Sequence, residues 1–395
     1  MTGSTVTDYV RAARPEEAEA VLETLCLAFG LDQAAARPLF YADPYFDLSG
    51  KRVLTLPGLG VVSCLTLVPS RLRIGGAVAP AAGVAGVATR PIFQCRGYGA
   101  SLLAETVPVL RREGFPVSLL HPISASFYQK LGWEYASRQV RWLSAPASLP
   151  DCAEADRVRP ALSSDWPAIE ALHDALTQAG TGSFQRDPHR WQLIQMPVPG
   201  REAFVYDNQG RIAGYCVWDR HDVLHLLEMQ GRTDDARRGL IGFLGRQPDA
   251  LVEWAASAAL LDQFGLSWAG LASEPGVMLR IVDLEAALLL LHPAHFAPVL
   301  TEFGTTLTLL ADDPLCSWNT RPLRLTAEGI TPGTTHEGPW LQAGIRVMAR
   351  LYFGDVTPSE AAAENLLTVD SPQTLHLADR LFPRRAPYVA PLDQF

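Results

Sequence analysis

The chain has 395 residues, 48% of them apolar, and a formal charge of −9 from 42 acidic and 33 basic side chains. That length exceeds one hydrophobic core and fits two or three domains of more than about 100 residues each. The acidic balance argues against a nucleic-acid partner, which needs a basic face, and suits a cationic, amine-bearing one. No run approaches a span of about 18 consecutive apolar residues and the first residues lack a basic stretch and a cleavable apolar segment, so a cytoplasmic protein without a membrane partner is expected. The six cysteines (Cys26, Cys64, Cys95, Cys152, Cys216, Cys316) are scattered without a C-x-x-C pair and suggest buried reduced thiols. Only Lys51 and Lys130 are lysines, a bias of composition.

In chain order, residues 9 to 29 read as a strand, a turn at Pro15 and an amphipathic helix with acidic residues at its start. Next comes a loop region where Asp32, Asp43 and Asp47 are read as solvated surface or as ligands for an ammonium group, and the aromatics Phe40, Tyr41, Tyr45 and Phe46 as a pocket wall or as packing. The apolar run 83–89 reads as a strand. Gln94-Cys95-Arg96-Gly97-Tyr98-Gly99-Ala100 follows it and opens a helix running to Arg112, with Leu102, Leu103, Val107 and Leu110 at helical spacing.

A helix start offers unpaired N–H groups and the positive end of the dipole to a diphosphate, provided no side chain blocks approach. Gly97 and Gly99 clear that space, and Gln94 and Arg96 add donors, so the pattern points to coenzyme A. A second buried strand at 117–121 leads into Ser126-Phe127-Tyr128-Gln129-Lys130-Leu131-Gly132-Trp133, a short helix ending in glycine.

The strand–helix pattern of residues 9–29 returns near residue 157, where Ser164 or Asp165 can cap and Pro167 suits a first turn. A return after roughly 148 residues suggests duplication of one α/β unit. Residues 203–218 form a hairpin around Asn208-Gln209-Gly210. In this copy Asp234 and Asp235 stand where a diphosphate would need donors, so it is expected to serve as scaffold without binding coenzyme A. Linkers are placed at 144–156 and 273–276. Beyond them come an apolar pattern over 278–291, a strand at 307–311 and helices at 358–367 and 371–382.

Strand, Q-x-x-G-x-G, helix, strand and F-Y-x-K-x-G-W over residues 83 to 133 resemble the GNAT superfamily of acyl-CoA N-acetyltransferases. Two such units, the second without its glycine loop, resemble more closely the Eis-like acetyltransferases, named for the "enhanced intracellular survival" protein. The C-terminal segments Met278-Leu279-Arg280-Ile281, Leu351-Tyr352-Phe353-Gly354 and 358–367, and an end in Phe395, support that likeness. The resemblance implies an α/β (α+β) fold of tandem GNAT domains plus a sterol-carrier-like domain, divided as 1–145 (catalytic), 146–276 (degenerate) and 277–395.

It implies acetyl-CoA as co-substrate and direct acetyl transfer to an amine of a small, aminoglycoside-like or polyamine-like molecule. Tyr128 would be the acid and the α-carboxylate of Phe395 the base. Cofactor contacts would come from Val87, Ala88 and Thr89, from the loop Gln94, Cys95, Arg96, Gly97, Tyr98, Gly99 and Ala100, and from Ile123 and Ser124. A hexamer is implied as well. His121, at the end of its strand, fits a proton relay or a hydrogen-bonded core histidine. His221 with His225 and His292 with His295 lack an evident third ligand, so no metal is expected. A non-catalytic lipid- or small-molecule-binding protein, using the sterol-carrier-like domain, is the alternative reading.

Overall fold

The computed structural model describes residues 10–335 and 338–395, arranged as three sheets with helices packed on them. The first unit begins with β1 (Val10–Ala12), a 3-10 turn at Pro15–Glu17 and α1 (Ala18–Phe29), as its sequence suggests from residue 10 on; residue 9 lies outside the described residues. Pro15 sets the turn, and Glu17 accepts both from Arg11, at 2.6 Å, and from the N–H of Arg14, so the entry into α1 is fixed by local chemistry. The unit continues with α2 (Gln33–Ala42), β2 (Lys51–Leu56), β3 (Gly60–Ile74), β4 (Ala77–Thr89), α3 (Tyr98–Arg112), β5 (Val117–Leu120), α4 (Ala125–Gln129) and β6 (Glu134–Tyr135).

The second unit contains β7 (Arg138–Ser144), β8 (Val158–Pro160), α5 (Trp166–Thr177), α6 (Pro188–Gln195), β9 (Arg201–Asn208), β10 (Arg211–Arg220), β11 (Leu224–Gly231), α7 (Asp234–Gly245), β12 (Val252–Ala256), α8 (Ala258–Gln263) and β13 (Ser273–Pro275). Gln209 and Gly210 both have positive φ, the geometry of the tight hairpin turn expected there. The cap differs from expectation: Ser163–Asp165 form a 3-10 turn, and Asp165 accepts from the N–H of Leu162 and from Arg159 in place of capping α5 forward.

The remaining elements are β14 (Met278–Ile281), α9 (Leu284–Leu291), α10 (Ala297–Phe303), β15 (Leu307–Asp312), β16 (Leu323–Leu325), β17 (Ile330–Pro332), β18 (Trp340–Gly344), α11 (Ile345–Phe353), α12 (Pro358–Ala363), β19 (Leu367–Val369) and α13 (Pro372–Leu381). The helix expected over 358–367 stops at Ala363, because Asn365 takes φ +57° and Leu367 turns into a strand. The run 284–303 is long and apolar enough to cross a membrane by length and composition. Its stripe of Leu284, Ala287, Leu288, Leu291, Phe296 and Leu300 is buried in the largest core, which accounts for that composition.

The first sheet runs β1-β2-β3-β4-β5-β14-β6, the second β13-β7-β12-β11-β10-β9-β8, and the third β17-β16-β15-β18-β19. The first two share one plan and exchange strands. β7, which follows the first unit in sequence, pairs with β12, and β14, which follows the second, pairs with β5 and β6. A cut at 145 or 276 therefore passes beside a strand that completes the other unit's sheet. The tip of the β3–β4 hairpin also joins the core of the third sheet through Leu72, Ile74, Ala79 and Ala81.

Candidate active site

β4 pairs with β5 only through Ala81, Ala82 and Gly83, while its other edge stays paired with β3 as far as Thr89. From Val84 onward the edge that faces β5 has no strand partner among the described residues. A bulge opens this gap: Thr66 pairs with Ala85 and Cys64 with Ala88, so Gly86 and Val87 together oppose Leu65. Gly86 takes φ +56° there, which any side chain would strain. Val87, Ala88 and Thr89 thus lie on an edge without a strand partner, able to pair with an extended, amide-bearing ligand, although the Thr89 carbonyl already accepts from Gln94.

At the end of β4 the chain turns into α3. Its N-cap is Gly97 at φ +83°, with no side-chain cap, so the first N–H groups of the helix are left for a ligand. A Cβ on Gly99 would meet Thr89 Oγ1 at 3.4 Å and Phe127 at 3.7 Å, ordinary contacts; Gly97, by contrast, is required by its backbone angle. The Gln94 amide donates one hydrogen to the Thr89 carbonyl at 3.2 Å and keeps its second for another acceptor. The Arg96 guanidinium stays outward over the Phe93 ring at 5.7 Å, Cys95 is exposed at φ +59°, and Tyr98 meets the Phe93 ring at 6.3 Å. Ala100 sits in the first turn. Ile123 is 82% exposed beyond β5, and Ser124 is the N-cap of α4 without a side-chain cap bond.

Tyr128 is buried on α4 in the same core cluster as Ala82, Val84 and Leu120. Burial raises its phenol above the ordinary value, so it holds its proton at neutral pH. Phe395 lies on the opposite face. A Cβ on Gly83 would come within 2.5 Å of its ring, and the ring stands 6.1 Å from His121 and 6.3 Å from Phe184. Since successive strand residues point to opposite faces, Tyr128 and Phe395 flank the β4–β5 gap from its two sides. His121 Nε2 is buried without a hydrogen-bond partner, and burial together with the Arg190 charge pushes the imidazole down to about 4.

Sequence reasoning missed what holds the tail. Arg186 is fully buried and grips Glu228 through two bonds of 2.9 Å and Asp393 through bonds of 2.7 and 3.0 Å, while Arg190 reaches the carbonyl oxygens of Asp393 and Gln394. Burial opposes the charge on Glu228, but Arg186 and His173 outweigh it and hold the carboxyl below its usual range. In the sequence, Arg186 and Asp393 are separated by about half the chain, and no spacing rule links them. Lys51 was missed as well. It is buried, donates to Thr66 Oγ1 at 3.1 Å and lies 5.1 Å from the Phe40 ring.

The three acidic residues of this loop region serve their own turns: Asp32 caps α2, Asp43 accepts from Tyr45 N–H and Asp47 from Ser49. Phe40, Tyr41 and Phe46 do cluster, with ring centroids 5.2 Å apart, whereas Tyr45 leaves them and donates to Asp187 at 2.7 Å. His225 faces Glu253 at 3.5 Å and His292 bonds the Thr326 carbonyl at 2.8 Å.

The acetyltransferase (GNAT) domain family matches residues 9–136 and the sterol carrier protein domain family residues 297–390. The N-acetyltransferase Eis of Mycobacterium tuberculosis is 26% identical over 359 residues, covering 84% of this chain and 85% of that one. Residues 9–136 are a GNAT acetyltransferase domain, and over most of its length the chain, an acetyltransferase, is similar to the Eis enzymes. An uncharacterized N-acetyltransferase of Streptomyces avermitilis is 24% identical over 315 residues, 72% of this chain and 74% of its own. The Eis-like fold extends to solved structures. A GCN5-related N-acetyltransferase of Anabaena variabilis superposes with TM-score 0.82 at 21% identity, over 98% of this chain and 99% of that one. Eis1 of Mycobacterium abscessus gives 0.76 at 18%, over 98% and 100%.

Acetyl-CoA is the co-substrate of such enzymes. The features found here fit it: a free strand edge for the amides of its arm and an uncapped helix start for its diphosphate.

Proposed function

We propose that this Eis-like enzyme moves the acetyl group directly onto an amine of a small molecule at the β4–β5 gap, with Tyr128 as acid and the Phe395 α-carboxylate as base. The observation that carries this reading is the Phe395 ring seated over Gly83 at the gap, with the tail behind it held by buried ion pairs. Termini usually fray, so a tail fixed this firmly supports a role for its last group.

The carboxylate takes a proton from the incoming ammonium, freeing the nitrogen lone pair to attack the thioester carbonyl. The C–S bond breaks, Tyr128 gives its proton to the departing thiolate, and the proton still on nitrogen is lost to restore the phenol. Val87, Ala88 and Thr89 hold the arm in register, and the first N–H groups of α3, with Arg96, face the diphosphate. His121 is neutral at physiological pH and too weak a base to compete with the carboxylate, so it fits a relay through hydrogen bonds. The net charge of −9 and the tail carboxylate favour a cationic acceptor, aminoglycoside-like or polyamine-like.

On this reading residues 1–145 carry the chemistry, 146–276 receive the tail, and 277–395 supply it. Six unpaired cysteines fit a reducing cytoplasm, and a hexamer is testable by mass in solution. The decisive experiment is a thiol-release screen over an amine library with wild type, Tyr128→Phe and a chain lacking Phe395. Both variants should keep fold and acetyl-CoA binding and lose at least about 100-fold in turnover. Turnover at the wild-type rate by either variant would remove its residue from the mechanism.

A further inference from the structure

Away from the β4–β5 gap, the tip of the β3–β4 hairpin, the π-helical turn His292–Phe296, α11 and the start of the tail meet around the Arg385 guanidinium. Arg385 Nη1 and Nη2 are both shut off from solvent and have no hydrogen-bond partner. The same holds for the Tyr352 hydroxyl, on a side chain 1% exposed, and His295 Nε2 is buried there too, with the Gly75 backbone against its ring. These groups are neighbours. A Cβ on Gly75 would lie 2.8 Å from Arg385 Nε and 3.1 Å from His295 Nε2, and the Arg385 charge acts on both Tyr352 and His295.

The chain makes room for the guanidinium deliberately. Gly75 and Gly354 have φ +56° and +81°, and a Cβ on Gly354 would come within 2.7 Å of Arg385 Cβ. No carboxylate among the described residues lies within ion-pair distance of Arg385. Asp355, which follows Gly354, is held by Arg350 at 2.8 Å and Arg138 at 3.3 Å, and Glu360 is engaged by Arg384.

An uncompensated buried cation is costly, and so is each unpaired donor beside it. A water molecule has two lone pairs and no charge, so it would satisfy two donors at most and leave the cation unpaired. We propose that Arg385, Tyr352 and His295 form a binding site for a small inorganic anion of the halide class, chloride in the cell. The bound ion accepts from the two Arg385 Nη groups, the Tyr352 hydroxyl and the His295 Nε2–H tautomer. It fixes the root of the tail, since Arg385 N–H also bonds the Gly354 carbonyl at 2.9 Å.

The test needs no acetyl acceptor and so stands apart from the catalytic reading. Crystals of the full chain soaked in sodium bromide should show an anomalous peak at about 3.3 Å from Arg385 Nη and Tyr352 Oη. In solution, chloride should raise the melting temperature over gluconate at equal ionic strength by about 2 °C, with saturation. Arg385→Met should abolish that dependence, and Tyr352→Phe, which keeps the buried ring, should shift its midpoint several-fold higher. Bromide crystals without a peak there, or an equal chloride response in both variants, would overturn the proposal.

Discussion

The two GNAT-like units place a helix in the same position after the strand that borders their gap, and they finish that position in opposite ways. In the first, α3 starts on Gly97 without a cap, and β4 runs free of β5 beyond Gly83. In the second, Thr233 caps α7 by accepting from Ala236 N–H at 3.2 Å, Arg237 folds back to the Gly231 carbonyl at 2.8 Å, and Asp234 and Asp235 pair with Arg237 and Arg238. There β11 pairs with β12 only from Leu224 to Leu226, and the chain's own tail bridges the strands past that point. Tyr388 donates to the Ala255 carbonyl on β12 at 2.8 Å, while Pro391–Asp393 packs on β11, with Asp393 joined to Glu228 through Arg186. The same scaffold therefore serves one unit as an open groove and the other as a receptor for residues 388–393. What changed is a few side chains at a helix start and one buried ion cluster.

The sharpest way to break this comparison is to empty the receptor. Arg186→Met leaves Glu228 and Asp393 buried without their cation, a loss of about 3–5 kcal/mol. The tail should undock, and thiol release should fall by at least about 100-fold, as for the chain lacking Phe395. In a chain ending at residue 390 the same substitution should cost no further activity, because the two changes remove one element. Full activity in Arg186→Met with the tail still docked, read by hydrogen exchange at residues 388–395, would mean the second unit does not position the first unit's chemistry.

The contrast also shows what the sequence made legible. The strand, glycine loop, helix and second strand of residues 83–129 were readable because each is a local pattern: an apolar run, a glycine pair, helical spacing. So was the repeat, since duplication preserves periodicity. Strand exchange was not readable, because the alternating β7 and the buried β14 look like strands of any sheet and only pairing reveals which sheet they complete. The tail receptor was hidden for the same reason, with Arg186, Glu228 and Asp393 meeting only in three dimensions. Lys51 was set aside as composition although it is one of only two lysines and the structure buries it.

A smaller effect separates His121 from the base. Its folded value of about 4 lies below the usual histidine range, so as pH falls the unfolded chain takes up a proton that the native state refuses. Stability then drops with falling pH, by about 1.5 kcal/mol between pH 6.5 and 5 from this group. Urea unfolding at these two pH values should show that loss in wild type and a smaller one in His121→Gln. Turnover of wild type should show no inflection from His121 between about pH 5.5 and 8. An inflection abolished by His121→Gln would make the histidine the base.

The two glycines of the first unit's loop should part company. Gly97→Ala forces a Cβ into φ +83° and should cost about 1–2 kcal/mol, whereas Gly99→Ala makes only ordinary contacts and should leave stability within about 0.5 kcal/mol. If a diphosphate comes close to both, the KM for acetyl-CoA should rise in both variants, by roughly tenfold for about 1.4 kcal/mol of lost binding. A rise in Gly97→Ala alone would assign the loop's glycines to backbone shape and not to close approach.

The least effect is expected where the second unit has given up its groove. Asp234→Asn with Asp235→Asn removes two charges that favour the start of α7, worth about 0.3–1 kcal/mol each, and frees Arg237 and Arg238. The first unit shares no contact with that helix start among the ion pairs described, so the KM for acetyl-CoA should stay within about twofold of wild type. The variant also tests how completely the second groove is shut. Thr233 still caps the helix and the tail still bridges β11 and β12, so calorimetry should find one acetyl-CoA site per chain before and after the change. A second site appearing on loss of the two carboxylates would show that charge alone kept that groove empty, and that cap and tail do not close it.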